Sequence, residues 1–420
     1  MAQTEAQVVA LELERVDPKV TTLFERESTF YSQIEKRPVE IVSNRDMRIP
    51  LEIRTGGNFG HFDPAGGDLG RGDAPSYDKA LMQPAFLRYA VEVQLLAHWA
   101  TDDRRKAVLQ NFRNLLAKSM SEFRRHCDSL CMTAGNGVVA TVGSVSTANS
   151  VNTVVCDSDG FGVRLLRFGQ TINVYSSNLG TNRTTGAEVK ITFYDMANKT
   201  FKIPAVSGIT AGDKIVVSGL SATPPSSIRG VPYHHNSAST GSWLGLDRAA
   251  NPEIRGNSVS GNSAALTLPL PRLALNKVGD RLGQDQQRKV QAWMHPCQVQ
   301  AYEQLGFLVT QLNSTGEGKG LDLYFGGAMQ MAGAPVKKHF SWDKTRIDFV
   351  DISAWGRAVM HEPGFYADWE DGGKRLWEIR GASGGVATAM IFYIVAAFDT
   401  YINNPAAASY IDGLKVTRGY

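Results

Sequence analysis

Cysteine is scarce in this chain of 420 residues, which contains four: Cys127, Cys131, Cys156 and Cys297. Their spacing matches neither a C-x-x-C nor a zinc-ribbon pattern. Four cysteines are also too few to stabilise a chain of this length through disulfide bonds. The scarcity excludes a disulfide-built domain and indicates a reducing compartment. Cys127 and Cys131 stand four positions apart beside His126, so on a helix they share one face. Two small apolar residues facing a core is the favoured interpretation, with a metal site as the alternative.

An excess of one charge sign is also lacking. Lys and Arg number 44 and Asp and Glu 41, which leaves a net charge of +3. A protein that mainly neutralises phosphates normally has a concentrated basic excess, because each contact needs a Lys or Arg. The balance therefore argues against dedicated nucleic-acid binding.

Long hydrophobic runs are missing as well. The most apolar stretch, Val386 to Phe398, has 13 residues, whereas a spanning helix needs about 20. Residues Met1 to Ala10 carry no basic region followed by an apolar run, so no secretory signal is expected. We predict no membrane segment.

Catalytic motifs are absent from the sequence. It has no G-x-S-x-G elbow, H-E-x-x-H motif, Walker loop or EF-hand loop. The pair His361-Glu362 is followed by Pro363, which stops a zinc-binding helix, and the adjacent His234 and His235 would point to opposite sides of an extended chain. Gly381 to Gly385 reads as a tight turn before a core strand. We therefore expect a non-enzyme without cofactor or metal.

A strand pattern opens the structured part of the chain. Between Met47 and Thr55 apolar and polar residues alternate, and a partner strand is expected within Ala80 to Trp99. The intervening Gly56 to Asp73 holds seven glycines in 18 residues, so ordering it requires outside contacts. No helix follows that could complete a phosphate loop. The tripeptide Arg71-Gly72-Asp73 matches a cell-adhesion motif, which we attribute to chance.

A helical pattern follows from Thr101 to Met132, where apolar residues recur at steps of three and four. Thr101 is the predicted cap and Gly135 the predicted end. The opposite face is basic, either as a solvated face or as a contact for acidic partners, including neighbouring copies or nucleic acid. This face carries Arg104, Arg105, Lys106, Arg113, Lys118, Arg124 and Arg125.

Short strands punctuated by Gly, Asn and Asp follow from about Val151 to Leu220, which predicts a small inserted β-barrel. Residues 221 to 262 read as long loops. After them we expect helices at Pro269 to Leu282 and Pro296 to Leu305. Strands are expected at Val290 to Met294, Arg346 to Val350, Leu376 to Ile379 and Val386 to Phe398.

The long arm before residue 45, the glycine-rich hairpin and the overlong helix expose strand edges and lack their own core. Such features are explained if they extend from one subunit to pack against a neighbouring identical subunit. The residues therefore favour a self-assembling structural protein.

Three sequence segments carry a family resemblance. The stretch Trp243 to Gly256, with Gly245-Leu246-Asp247-Arg248 and Asn251-Pro252-Glu253-Ile254-Arg255, is similar to a segment of tailed-bacteriophage coat proteins, with Ile254 in place of the usual Trp. Ala292 to Pro296 also resembles a family element, and Gly162 to Tyr175 resembles the start of the inserted domain in podovirus-type coat proteins. Together with the order of elements, these segments make the chain resemble the major capsid proteins that share the Hong Kong phage capsid fold.

The resemblance implies an α+β fold with an N-terminal arm, an E-loop, a spine helix, a peripheral P-domain and an axial A-domain, plus the inserted β-barrel. The implied boundaries are arm 1–45, E-loop 46–99, spine helix 100–135, inserted domain 136–220, axial domain 221–340, and peripheral and axial strands with the C-terminal segment 341–420. The implied intersubunit contacts of the E-loop are Arg54, Gly56, Gly57, Arg71, Asp73 and Lys79. The spine-helix basic face would be Arg104, Arg105, Arg113, Arg124 and Arg125.

The implied function is a major capsid protein that self-assembles, as hexamers and pentamers, into the icosahedral shell around a double-stranded DNA genome. Implied partners are a scaffolding protein, a portal and non-specifically contacted DNA; the location is the virion, assembled in the host bacterial cytoplasm. Covalent cross-linking through Lys79 is not carried over. An encapsulin-type compartment, a β-rich decoration protein or adhesin, and an enzyme of unknown type are the alternatives.

Overall fold

The computed structural model describes residues 29–37, 40–41, 47–61, 71–94, 105–157, 161–184, 188–220, 222–312, 329–366, 377–380 and 386–417. Most of the predicted arm, part of the glycine-rich span, the cap Thr101, Arg104 and the turn at Gly381 to Gly385 lie outside what is described. Side-chain statements also exclude positions 105–114.

The N-terminal part consists of helix α1 (Thr29–Gln33) and five strands: β1 (Glu35–Arg37), β2 (Glu40–Ile41), β3 (Met47–Arg54), β4 (Ser76–Met82) and β5 (Ala85–Gln94). Strands β3 and β4 form an antiparallel hairpin, with Leu51 opposite Asp78. The predicted partner span, Ala80 to Trp99, was therefore only partly right. Proline has no N–H for the strand ladder, and the chain leaves the hairpin at Pro84, so that β5 joins a different sheet.

The long helix α2 runs from Arg105 to Leu130. At 1.5 Å per residue it measures about 39 Å. Its last turns are buried on almost every side, and Cys127 and Cys131 are both fully buried. The interpretation of these cysteines as small core residues is confirmed.

Seven strands form the predicted β-barrel: β6 (Val138–Ala148), β7 (Val151–Cys156), β8 (Thr171–Tyr175), β9 (Val189–Lys190), β10 (Phe193–Asp195), β11 (Thr200–Pro204) and β12 (Lys214–Val217). Their order is β10-β11-β7-β6-β12-β8-β9. Strands β9 and β10 are halves of one extended segment, and between them Thr192 N–H donates to Lys202 O at 2.9 Å. One segment thus joins both edges of the sheet, which removes its free edges. Strand β6 was missed by the sequence analysis, which expected the short strands to begin at about Val151.

The segment predicted as long loops contains short elements: α3 (Val231–His234), β13 (Ser242–Trp243), β14 (Leu246–Asp247), a 3₁₀ turn (Pro252–Ile254) and β15 (Asn257–Ser260). Trp243, Leu244 and Ile254 are buried. The expectation of surface loops was wrong here, because these apolar side chains are part of the main core.

The rest of the chain builds two sheets. Its elements are α4 (Pro269–Leu282), α5 (Gln284–Gln287), β16 (Gln291–Met294), α6 (Pro296–Leu312), β17 (Gln330–Met331), β18 (Ala334–Lys338), β19 (Ile347–Val350), a 3₁₀ turn (Ile352–Ala354), β20 (Trp355–Phe365), β21 (Trp377–Arg380), β22 (Val386–Ile402), a 3₁₀ turn (Pro405–Ala407) and β23 (Ser409–Asp412). A six-stranded sheet has the order β15-β23-β19-β16-β18-β17. A five-stranded sheet has the order β1-β20-β22-β21, with β5 also paired to β22. The predicted helices and strands of this region are present, and α6 and β22 are longer than expected.

An aromatic cluster joins the two sheets to the arm. The ring of Phe30 in α1 lies 5.3 Å from that of Trp293, 5.8 Å from that of Trp342 and 5.6 Å from that of Trp355, all edge-on. Edge-to-face pairs at these distances are favourable beyond the apolar area they bury. Asp128 of α2 adds a polar anchor, since its Oδ1 accepts from Tyr31 N–H at 2.7 Å.

We expect Phe30→Ala to lower the free energy of unfolding by about 3–5 kcal/mol, because it leaves a cavity among three tryptophans. Urea denaturation followed by tryptophan emission measures the loss. Phe86→Ala is the matched control, since Phe86 is exposed and its truncation should cost less than about 0.5 kcal/mol. Equal losses in the two variants would contradict the anchoring role of Phe30.

Candidate assembly interface

The far end of the β3–β4 hairpin lies outside the core. Residues 57–61 and 71–79 are exposed throughout. At its root Met47, Ala80 and Met82 are buried, and Ile49, Leu51 and Ile53 are only half-buried. Phe59 is 99% exposed, so an entire aromatic ring near the tip is in water. This hairpin presents apolar surface that the described part of the chain does not cover.

Glycine is required where the two arms of the hairpin come together. Gly56 has a φ of +67°, and a Cβ on it would lie 2.6 Å from the carbonyl oxygen of Asp73. The next residue, Gly57, donates its N–H to the same oxygen at 2.9 Å. Any side chain at position 56 would therefore force the two arms apart.

Two contacts attach the hairpin to the segment that carries the family resemblance. Arg54 Nε lies 3.1 Å from Glu253 Oε1, and Arg54 Nη2 donates to Ala250 O at 3.3 Å. Closer to the root, Leu81 N–H donates to Leu244 O at 2.7 Å. The ion pair is exposed, so its contribution to stability is small.

The segment Trp243 to Gly256 is itself fastened by three arginines. Arg281 of α4 donates to Arg255 O at 2.7 Å and to Pro252 O at 3.1 Å. Arg248 is buried and donates to Tyr233 O at 3.1 Å, while Arg255 Nε donates to Arg248 O at 2.7 Å. The segment connects the hairpin to the helix that packs on the six-stranded sheet, and its Arg and Glu side chains have a structural role.

The structure brings four of the six predicted E-loop residues close together. Arg54, Gly56, Gly57 and Asp73 lie where the two arms meet. Arg71 is exposed two residues before Asp73, and Lys79 lies opposite Pro50 nearer the root, also exposed. Their predicted role as intersubunit contacts is not tested by these positions and stays a prediction.

The predicted basic face of the long helix needs a correction. Arg105 and Arg113 lie within α2, and Arg124 is exposed as expected. Arg125 is 1% exposed, and its Nη2 lies 2.6 Å from Glu122 Oε1. At this turn Arg124 points to solvent and Arg125 points into the protein, so Arg125 is an internal ion-pair partner.

Glu122 is the centre of a buried polar group on the same turn. Burial by itself raises the pKa of a carboxyl group, but hydrogen bonds from His126 and Arg125 lower the pKa of Glu122 to about 2. His126 Nε2 lies 3.3 Å from Glu122 Oε1. Burial is also the main cause that lowers the pKa of His126, against the raising effect of Glu122.

A cleft of about 1350 Å³ opens beside this group. The strands β5 and β22, the helix α2 and the barrel surround it, and apolar side chains dominate the lining: Phe86, Phe123, Leu165, Met360, Phe365 and Val395. The sequence analysis missed this cleft, because it is formed by elements that are far apart in the chain.

The histidine pair and the cysteines, which the sequence analysis considered as possible metal ligands, are part of the core. His234 and His235 are buried and hydrogen-bonded in the core, and the four free cysteines are buried. Within the described ranges, no three His, Cys, Asp or Glu side chains are grouped so that they could hold a metal ion. Within the same ranges, none of the helices is both long and apolar enough to span a membrane.

Comparison with known proteins gives a fold. No protein-family model and no curated protein matches the chain. Among solved structures, the capsid subunit of cyanophage A-1(L) superposes with a TM-score of 0.54 at 11% identity, over 97% of this chain and 99% of that one. The capsid of an empty GTA particle has a TM-score of 0.47 at 10% identity, with 98% and 99% covered. The SrpI encapsulin of Synechococcus elongatus PCC 7942 has a TM-score of 0.43 at 9% identity, with 100% and 99% covered.

The first of these structures matches this chain almost from end to end. The chain therefore has the fold of a phage capsid subunit, which is the α+β Hong Kong phage capsid fold predicted from the sequence, here with a β-barrel after the long helix. At 11% identity the likeness is one of fold.

We expect Arg125→Ala to lower the free energy of unfolding by about 3 kcal/mol, because it leaves the Glu122 carboxylate buried without its closest cation. The neighbouring Arg124→Ala is the matched control. Arg124 is exposed, and its loss should change stability by less than about 0.5 kcal/mol. Denaturant titration at neutral pH distinguishes the two variants, and an Arg124 effect as large as that of Arg125 would disprove the corrected assignment.

Proposed function

We propose that this chain is the major capsid protein of a tailed bacteriophage. It self-assembles, as hexamers and pentamers, into the icosahedral shell that encloses the double-stranded DNA genome. The observation that carries the proposal is the match to a phage capsid subunit over 97% of the chain with a TM-score of 0.54. In this proposal the chain has no catalytic activity, and its function is the contact between copies.

The surface of the hairpin supports assembly between copies. Phe59 and Tyr77 are exposed aromatic residues, and Leu81 is an exposed leucine, all on one hairpin. Aromatic side chains of this kind dominate the energy of protein interfaces once they are buried. A neighbouring copy that covers the hairpin would remove this apolar surface from water, and the exposed Arg71, Asp73 and Lys79 would form its polar rim.

The proposed organisation follows the implied boundaries. The arm is 1–45, the E-loop 46–99, the spine helix 100–135, the inserted domain 136–220, the axial domain 221–340, and the closing strands and C-terminal segment 341–420. The near-neutral net charge of +3 is compatible with non-specific contact with packaged DNA, which a strongly basic lining would hold too tightly. A scaffolding protein and a portal complete the proposed set of partners, and the shell would form in the bacterial cytoplasm.

Electron microscopy of particles tests this function. The chain is expressed with its neighbouring genes, and the proposal expects closed polyhedral shells of uniform diameter that contain DNA after packaging. Shells that instead retain a cargo enzyme would identify an encapsulin-type compartment. A monodisperse monomer or small ring under all conditions would reject the shell function.

The hairpin contact has its own test. We expect Phe59→Ser to reduce the yield of shells strongly and to change the unfolding free energy of the free chain by less than about 0.5 kcal/mol. Met196→Ala is the matched control, because Met196 is an exposed apolar residue on the barrel. Sedimentation separates shells from free subunits, and an unchanged shell yield for Phe59→Ser would count against a hairpin contact between copies.

A further inference from the structure

Three buried histidines have a ring nitrogen that is fixed as a hydrogen-bond acceptor: His234, His295 and His339, of which His339 also binds the Asp128 carboxylate. His234 and His295 are the two that concern us here. The first, His234 in α3, is completely buried. Trp243 Nε1–H donates to its Nδ1 at 3.1 Å, and an indole can only donate. On the other side of the ring, His234 Nε2 donates to Thr400 O at 2.9 Å and to Arg229 O at 3.1 Å. These partners define the neutral ring with its proton on Nε2.

The second histidine, His295, caps the N-terminus of α6. Cys297 N–H donates to His295 Nδ1 at 3.1 Å, which satisfies one of the N–H groups that the first helical turn leaves without a partner. His295 is 3% exposed and directly follows Trp293 and Met294 of strand β16. This ring can accept the Cys297 N–H, and so cap α6, only while its Nδ1 carries no proton.

Charged groups around the two rings oppose a further proton. Burial and the nearby Arg229 and His235 lower the pKa of His234 to about 3, in spite of the hydrogen bonds to Thr400 and Arg229 carbonyls. Asp399 on β22 accepts from the N–H and the guanidinium of Arg229 and from Thr400 N–H, and burial raises the pKa of its carboxyl group to about 7 in spite of these bonds. The neutral form of His234 is thus the form that the surroundings stabilise.

The surroundings of His295 are more strongly cationic. Burial, then Arg164 from the barrel, then Lys344 and His339 from the loop before β19 lower the pKa of His295 to about 2. His339 is itself bound to Asp128 Oδ2 at 2.6 Å. The acidic residue of that loop is Asp343, and its carboxylate accepts from Thr345 N–H and from the Thr345 hydroxyl.

Both histidines lie where separate elements join the aromatic cluster. The His234 ring is 5.2 Å from that of Trp355, and it holds α3 to the end of β22 through Thr400. His295 holds the start of α6 next to Trp293, which stacks on Trp342 at 5.7 Å. A change at either ring therefore affects the packing between the five-stranded and six-stranded sheets.

We propose that His234 and His295 form a proton-sensitive joint. When the joint opens in acid, Nδ1 of each ring takes up one proton from water. The hydrogen bonds from Trp243 and Cys297 cannot re-form, because an imidazolium ring has N–H donors on both nitrogens. The inference concerns the folded chain alone and does not rest on the proposed shell function.

The direction of the pH effect follows from the two states. Histidine in an unfolded chain takes up a proton near pH 6.5, whereas the two folded rings do so only near pH 3 and pH 2. Each of the two rings therefore lowers stability as the pH falls below about 6.5, because the opened state takes up its proton first. Each ring binds one extra proton in the opened state. Each ring therefore increases the opening equilibrium constant about tenfold for every unit by which the pH falls below this value. Asp399 acts in the opposite direction, since burial raises its pKa to about 7 in the folded chain.

Substitution by asparagine tests the joint on the full, unassembled chain. The amide oxygen of Asn can accept the Cys297 N–H, as at other helix caps, but takes up no proton. Between about pH 6 and about pH 5 the unfolding equilibrium constant increases by some factor in each protein. We expect this factor to be roughly ten times smaller for His295→Asn than for the wild type. Urea titrations with tryptophan emission give the constant at each pH. Glu122 and Asp348, whose pKa values are near 2, stay ionised throughout this range, and Asp399, whose pKa burial raises to about 7, is present in the wild type and in every variant, so that its effect cancels in the comparison.

His234→Asn provides an independent second variant with the same expected reduction, in case one variant does not fold. His361→Asn is the matched control, since His361 is exposed on β20, and it should retain the wild-type dependence on pH. A reduced pH dependence confined to the buried positions supports the joint. Wild-type dependence in both His295→Asn and His234→Asn would overturn it, as would an equal reduction in His361→Asn.

Discussion

The structure depends on the burial of one phenylalanine among three tryptophans. Phe30 belongs to the arm, Trp293 to the six-stranded sheet, Trp342 to the loop before β19 and Trp355 to the five-stranded sheet. No two of these elements are adjacent in the chain, so the cluster forms only when the whole body closes. Polar contacts that need exact distances, such as Asp128 with Tyr31 and His339, surround it. The cluster fixes the relative positions of the arm, the long helix and both sheets.

The hairpin has the opposite character. Beyond its buried root it is attached by the exposed Arg54, which contacts Glu253 and Ala250 O, and by one backbone bond to Leu244. Its apolar tip has no cover among the described residues. A well-packed body with a weakly attached apolar projection suits assembly from many modest contacts, since wrongly placed copies can still dissociate. In the barrel, the segment of β9 and β10 joins the two ends of the sheet, so neither end strand is left as a free edge.

Much of the secondary structure was predictable, and the errors have physical causes. Pro269 to Leu282 was predicted with its observed bounds, since Pro at the start and Gly283 after the end mark a helix well. Strand β6 was missed because its outer half is largely polar and exposed. The loops of 221–262 were misread because Ser, Gly and Asn dominate the composition, while the buried Trp243 and Ile254 are few. Arg125 was assigned to a solvated face because a sequence pattern cannot reveal which packed elements cover a helix.

The sequence by itself determined the long helix, most elements after residue 268, the barrel and the resemblance to capsid proteins, because these depend on composition and on local periodicity. Only the tertiary structure decided the partners of each group. It paired β5 with β22, buried Arg125 against Glu122, formed the cleft beside α2, and gave His234 and His295 their donors. These contacts join residues distant in the chain or depend on burial from several sides, and neither property is encoded in a local pattern.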